Sequence, residues 1–480
     1  MAGALTLSSY IPAWSKSHGI LVNDVHSQLN PTWVSKVIQV ESKGTLQDLI
    51  EHARKEGKNI SFCGARHAGG GQQFASDSIL VDMTRLNRVL KFDQTQGLLE
   101  VQAGIRWPEL LSYLDQVQHR SDHPWGIAQK QTGGDRLTLG GTLAANAHGQ
   151  GLTLRPFIGD VESFSLIDAL GKEHVCSRSS NPELFRNAIG GYGLFGVIHS
   201  VTLRLVPRRK VERIVELIDI EELIPKVESC ISKGYPYGDF QVNIDNQSDS
   251  YLRNGIFSGY RLADPATPVP DEDHALSMRD WFNFVYGVHV DKHHTFETYV
   301  HYYQSSSGHV NWSDVWQSGP YLQNYHRIID RRLHSPHRAT EVLTELYVPK
   351  SALSKFLNDV RADFIKNNVD LIYSTVRFIE RDDESFLAWA KDSYACVIFN
   401  LHTVHTPEGI EHSASAFRRL IDLAIKFGGS YYLTYHRYAT REQVLACYPQ
   451  FPQFLKLKRE LDPDEQLQSD WYRHYRKLFS

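Results

Sequence analysis

Three runs of glycine in the first 200 residues constrain this chain more than any other feature. Gly64, Gly69, Gly70 and Gly71 form the first run. Gly126, Gly133, Gly134, Gly140, Gly141, Gly149 and Gly151 form the second, and Gly190, Gly191, Gly193 and Gly196 the third. Glycine lets backbone N–H groups converge on an anion and lets the chain lie against a flat ligand. Between Leu139 and Gly151 the residues are mostly Gly, Ala and Thr, with Asn146 and His148 inserted, a composition suited to a surface pressed on a planar ring system. Tight turns in a strand-rich fold account for any one run but poorly for all three.

Two common glycine motifs are excluded. Gly191-Tyr-Gly193-Leu-Phe-Gly196 matches GxGxxG, but that fingerprint needs a strand before it and a helix after it. Here Val201, Leu203 and Leu205 alternate with Thr202 and Arg204, which reads as a strand. No GxxxxGK[ST] is present, so no phosphate-binding P-loop is expected.

The chain has 480 residues, enough for two or more packed units. Its formal charge of -4 lacks the concentrated basic face that a nucleic-acid partner needs. No apolar run approaches the roughly 18 residues of a membrane span, and the first residues show neither the basic start nor the apolar core of a secretory signal. The five cysteines, Cys63, Cys176, Cys230, Cys396 and Cys447, have no CxxC spacing and read as thiols in a reducing compartment. A cytoplasmic protein is expected, with attachment to a membrane surface left open.

Periodicity gives an α+β fold. Thr45 caps a first helix with Leu46, Leu49, Ile50 and Ala53 on its buried stripe. Strands are expected at 59–63, 78–83, 98–102 and 197–206, and a helix follows Pro108. Further strands are read at 344–348, 372–378 and 396–401, with helices at 351–364 and 412–427. The proline-rich acidic stretch 262–275 reads as an exposed loop. The chain divides into 30–209, 210–427 and 428–480.

The motifs together resemble a known family. Gly64-Ala65-Arg66-His67-Ala68-Gly69-Gly70, then Val81-Asp82-Met83 and Val101-Gln-Ala103-Gly104, is similar to the FAD-binding half of the vanillyl-alcohol oxidase/p-cresol methylhydroxylase superfamily. Thr138-Leu-Gly140-Gly141 through Asn146-Ala-His148-Gly149 resembles its second flavin loop, and Gly193-Leu-Phe-Gly196-Val-Ile198 its third. Asp462-Pro463 to Trp471 resembles the segment returning to the flavin domain. Nearest in look are alditol oxidase, the aldonolactone oxidoreductases and decaprenylphosphoryl-ribose 2-oxidase.

This resemblance implies a two-part PCMH-type FAD domain, an α+β substrate (cap) domain with an antiparallel sheet, and hydride transfer from a C–OH group to flavin N5. Oxygen, a quinone or a protein then accepts the electrons. It implies that residues 64–68 hold the pyrophosphate. Gly133, Thr138, Gly140, Gly141, Ala145, Asn146 and His148 are expected along the isoalloxazine and ribityl, with Ile198 nearby. His67 is expected either to bond the flavin 8α-carbon or to pack against the ring without a bond. Ala103 stands where such lactone enzymes control oxygen access, and its methyl favours a dehydrogenase.

For the substrate, the chemistry needs a hydrogen-bond partner for the alcohol and positive charge near the flavin. Arg377 resembles the arginine of the alditol oxidase E-x-R strand, with Thr375 in place of the acid. Glu345 sits where the cap strand faces the flavin. Tyr435 takes the place of a lysine, and Tyr435 or His436 is expected to donate to the substrate oxygen or take its proton. Asn400 and His402 share one strand face and complete the expected substrate wall.

Histidine is abundant, at 23. His289, His293, His294 and His301 form one group, His326, His334 and His337 a second, and His402 and His405 a third. No HExxH or His-plus-two-Cys spacing occurs, so a metal is not expected. Two other functions share these motifs: amine oxidation of the cytokinin-dehydrogenase kind, and a flavin-free partner subunit on the same scaffold.

Overall fold

The computed structural model describes residues 19–132, 134–270, 276–319, 322 and 324–480. Strands Lys36–Gln39, Ile79–Asp82 and Ile60–Cys63 form a small parallel sheet. The helix Lys43–Lys55 buries Leu46, Ile50 and Ala53 in the core that this sheet shares with Val197 and Ile167. Its cap is Ser42, whose side chain accepts from the Thr45 N–H, so the helix starts earlier than the expected Thr45 cap. The two residues are three apart, and only the backbone path decides which one stands outside the first turn.

A five-stranded antiparallel sheet follows, containing Leu98–Gln102 and Val197–Arg204 side by side. The strand after the third glycine run is therefore real, as the alternation of Val201 and Leu203 required. The chain leaves this sheet at Arg204 and enters an eight-stranded antiparallel sheet at Lys210.

The larger sheet decides where chemistry can sit. Its strands Ala339–Pro349, Leu371–Ile379 and Tyr394–Val404 pair so that Glu345 opposes Ile398 and Arg377 opposes Cys396. Because side chains alternate, Glu341, Leu343, Glu345, Tyr373, Arg377, Ile398 and Asn400 share one face. The opposite face is covered by helices Leu353–Lys366 and Pro407–Lys426. Leu353, Phe356, Leu357, Val360 and Phe364 form the stripe of the first, with Phe364 packed edge-on against Phe399. Thr406 caps the second by accepting from the Gly409 N–H, and Pro407 opens it.

The C-terminal segment touches both halves. Ser430–Tyr431 extends the large sheet beside Leu346 and Tyr347. Further on, the Gln468 N–H donates to the Ile60 carbonyl, and Asp470 accepts from Ser76. The stretch 262–270 is largely exposed, as its prolines suggested, although Val269 and Pro270 turn toward the central cavity. No described helix is long and apolar enough to cross a membrane.

Candidate active site

A cavity of about 930 Å3 lies between the glycine loops and the bare face of the large sheet. All three glycine runs reach its wall. The loop Gly64–Gly69 follows the strand Ile60–Cys63 directly and is tied down by its carbonyl oxygens. Arg66 O accepts from Val25 N–H, Ala68 O from Gln73, and Gly69 O from Asn30. The N–H edge is thus the one left to meet an anion. Arg66 has a left-handed backbone, φ 61°, at the crest of this loop. A side chain at Gly64 would put its Cβ 2.1 Å from Thr138 Oγ1, so only glycine lets the first two loops touch.

Thr138, Gly140, Gly141, Ala144 and Ala145 contribute a flat wall without long side chains. Thr138 caps the helix Leu139–Ala145 through the Gly141 N–H. Gly193, with φ 75° and nothing within 4 Å of where a Cβ would be, opens the third side, and Ile198 lies next to it. Gly133 lies outside the described residues.

The polar groups of the wall show that this space is built for a large polar ligand. Gln72 Oε1, Gln73 Oε1, Gln131 Oε1 and Thr132 Oγ1 are buried without a hydrogen-bond partner at the glycine-loop end. Gln241 Oε1, Asn400 Oδ1 and both Nε and Nη1 of Arg377 are orphaned at the sheet end. Buried polar atoms left unpaired cost roughly 1–3 kcal/mol each, so their convergence on one cavity calls for a ligand that pairs them.

His67 lines the cavity, and its Nδ1 lies 2.9 Å from His26 Nε2. Burial, with help from His26, Arg106 and Arg136, lowers its pKa to about 3, so the imidazole is neutral.

At the sheet end, Tyr435 and Arg377 line the cavity and Glu345 stands directly behind them, fully buried. Four donors surround the Glu345 carboxylate: His148 Nε2 at 2.5 Å, Cys396 Sγ at 2.7 Å, and the Tyr347 and Tyr435 hydroxyls at 3.0 Å. Burial pushes Glu345 upward, but His148, Cys396 and Arg377 outweigh it and hold the carboxyl at about 2. Burial and the Glu345 charge push the Tyr435 phenol well above its ordinary range. Glu345 is therefore an ionised anchor, and Tyr435 a neutral hydroxyl aimed by it.

Several residues expected on the wall stand behind it instead. His148 serves Glu345, and Asn146 caps its helix with φ 49° while donating to Asp382 and accepting from the Ile158 N–H. Thr375 turns its hydroxyl to the Phe240 carbonyl across the sheet. His436 backs Gly69 and bonds Ser27 Oγ at 3.0 Å. His402 shares the face of Asn400, as alternation required, but lies one step past the cavity, beside Glu341 and His289. Sequence reasoning missed Gln241, Tyr373 and Arg213 on the large-sheet wall. Alternation from Arg377 would have found Tyr373, whereas Gln241 and Arg213 belong to no motif.

Comparison with known proteins fits this geometry. Residues 34–177 match the FAD binding domain family. The chain thus carries an FAD-binding domain, and the orphaned polar atoms and glycine walls fit that cofactor. It is similar to L-gulonolactone oxidase of Bos taurus, 28% identical over 196 residues, 41% of this chain and 42% of that protein. It is similar to D-arabinono-1,4-lactone oxidase of Debaryomyces hansenii, 26% identical over 42% of this chain and 37% of that protein. It also resembles L-gulono-1,4-lactone dehydrogenase of Mycobacterium tuberculosis, 24% identical over 92% of this chain and 95% of that protein. The match spans 42% of the length of the first of these relatives. The chain is a relative of the aldonolactone oxidoreductases.

Proposed function

We propose that this protein is an FAD-dependent oxidoreductase that removes hydride from a C–OH group of a sugar-, polyol- or lactone-like substrate, with a sugar lactone the preferred class. The observation that carries this is the pairing of two ends in one cavity: a glycine-walled end suited to the cofactor, and a sheet end where Arg377 and Tyr435 face inward. FAD, when bound, supplies the hydride acceptor. Residues 64–69, Gln131 and Thr132 would hold it, with His67 at the ring edge and a covalent bond there part of this proposal.

The chain's own groups then have separable tasks. At rest the Tyr435 hydroxyl donates a hydrogen bond to Glu345 Oε2, so its lone pairs are turned to accept from the substrate hydroxyl. Arg377, 5% exposed and with two nitrogens unpaired, stabilises the alkoxide charge on the substrate oxygen as the hydroxyl proton passes to Tyr435 and the Tyr435 proton on to Glu345 Oε2. Asn400 and Gln241 offer further polar contacts to hydroxyls of a sugar. Glu345 acts through Tyr435 and is a positioning residue.

The PCMH-type two-part division, with a substrate unit between 210 and 427, belongs to the same proposal. So does the cytoplasm as location, supported by five buried cysteines without disulfides. Oxygen, a quinone or a protein takes the electrons. Anaerobic addition of aldono-1,4-lactones to the FAD-loaded protein tests the function: the yellow absorbance bleaches if it is right. A protein that refuses FAD, or whose flavin no sugar lactone or polyol reduces, overturns it.

A further inference from the structure

Outside the cavity, Glu341 gathers an unusual set of neighbours. It is 5% exposed, and its Oε2 accepts from His326 Nδ1 at 2.8 Å and from the Tyr325 hydroxyl. Its other oxygen, Oε1, faces two imidazoles. His289 Nε2 stands 3.7 Å away and His402 Nδ1 4.0 Å away, and neither nitrogen has a hydrogen-bond partner. The His289 side chain is 3% exposed. Asp370 faces the same imidazoles from the rim, with the ligand atoms of His289, Asp370 and His402 within 4.8 Å of one another.

These distances are informative because the same chain closes other His–carboxylate pairs fully. His326 reaches Glu341 at 2.8 Å and His148 reaches Glu345 at 2.5 Å. Two buried nitrogens that converge on one oxygen yet stop short of hydrogen-bond range surround a space instead of bonding across it. Zinc arms of about 2.1 Å in a tetrahedron put neighbouring donor atoms about 3.4 Å apart, close to the spacing here.

We infer that His289, His402 and Glu341, with Asp370 as an outer fourth donor, form a site for a divalent transition metal of the zinc class. Imidazole and carboxylate donors suit zinc, whereas calcium and magnesium take oxygen ligands and copper(I) takes sulfur. His326 and Tyr325 fix the orientation of Glu341 from behind, as partners of metal-bound carboxylates do. Lys292 holds Asp370 Oδ1 and its charge opposes a cation there, which keeps Asp370 in the outer position.

The site also has a mechanical role. The helix Met278–Val290 carries His289 and is half-buried along most of its length, with Phe284 against Tyr299 and Tyr302 and no residue fully buried. Trp281 of the same helix lines the cavity, as does Tyr325 on the far side of Glu341. A metal would tie this helix to the strands Ala339–Pro349 and Tyr394–Val404 and so fix one wall of the substrate space.

The test uses the full-length, FAD-loaded protein, stripped with chelator and purified without metal-affinity resin. Zn2+ is titrated in against a chromophoric chelator while melting temperature is followed, and Co2+ replaces it for visible absorption. The expected result is one Zn2+ per chain, a raised melting temperature, and tetrahedral Co2+ bands. His289→Gln and His402→Gln each weaken Zn2+ binding by more than about 100-fold, and Asp370→Asn by about 10-fold. His293→Gln, an exposed control that touches Asp245 instead, leaves it unchanged. Wild-type protein that takes up no stoichiometric Zn2+, or variants at 289 and 402 that bind as tightly as wild type, overturn the inference. If a histidine variant does not fold, unchanged affinity in Asp370→Asn together with absent Co2+ bands in wild type overturns it as well.

Discussion

The Tyr435 hydroxyl donates to Glu345 Oε2 at 3.0 Å, and that one bond sets which way the phenol oxygen presents its lone pairs to the cavity. Glu345 lies on the strand Ala339–Pro349 and Tyr435 on the C-terminal segment, so two distant parts of the chain meet there. Replacing Tyr435 with Phe keeps the ring packing and removes the hydroxyl. The turnover number falls by about 100-fold or more while flavin content stays full. Steady-state kinetics beside an absorption spectrum checks this; a variant with wild-type turnover removes Tyr435 from the mechanism.

Arg377→Met leaves the aliphatic stem and takes away the charge. Flavin reduction by the substrate slows by about 100-fold or more, and Arg377→Lys recovers little because a point charge lacks the paired donors of guanidinium. Stopped-flow reduction under anaerobic conditions is the measurement. Equal losses in KM alone would make Arg377 a binding group only.

For His67, the expected outcome concerns colour. Acid precipitation of the wild-type protein leaves yellow flavin in the pellet, and His67→Ala releases it to the supernatant. His26→Leu removes the ring 2.9 Å from His67 Nδ1 and lowers the bonded fraction. Full release of flavin from wild type means that no bond forms.

Ala103 lines the cavity, and its Cβ lies 3.0 Å from where a Gly140 side chain would begin. Its methyl therefore covers part of the wall between the first two loops. Ala103→Gly opens that wall and raises the rate of reoxidation by air at least several-fold, while dye-coupled turnover changes little. Oxygen-electrode and dye assays on the same samples decide it.

His436 gives a pH signature. Burial, with Arg437 adding to it, lowers the folded pKa to about 4, against an ordinary value of about 6.5 in the unfolded chain. Below pH 6.5 the unfolded chain binds a proton that the folded one refuses. Stability thus falls as pH drops from about 6.5 to about 4, by up to about 1.4 kcal/mol per pH unit for this residue, and does not change on this account above 6.5. Urea unfolding at pH 7 and pH 5 shows a smaller acid loss in His436→Gln than in wild type. Equal losses in the two proteins contradict the assignment.

Much of this was legible in one dimension because its causes are local. Glycine at 64 and 140 is demanded by close approach of neighbouring segments and at 193 by a left-handed backbone, and period-two alternation put Asn400 and His402 on one strand face. Local logic misplaced the Thr45 cap, and the motif resemblance put Asn146, His148, Thr375 and His436 at the site, since neighbours in sequence say nothing about what stands between a side chain and the ligand. His148 is near a flavin-like loop in sequence, yet Glu345, 197 residues away, claims its nitrogen.

What the sequence by itself determined, then, is the α+β character, the glycine-walled nucleotide end and the strands that carry the substrate face, because backbone sterics and side-chain alternation act within a few residues. Only the tertiary structure decided that Tyr435 meets Glu345, that His67 meets His26, and that His289 and His402 converge on Glu341. Those contacts join segments dozens of residues apart, and their geometry comes from strand register and helix packing in the shared core, which no local pattern encodes.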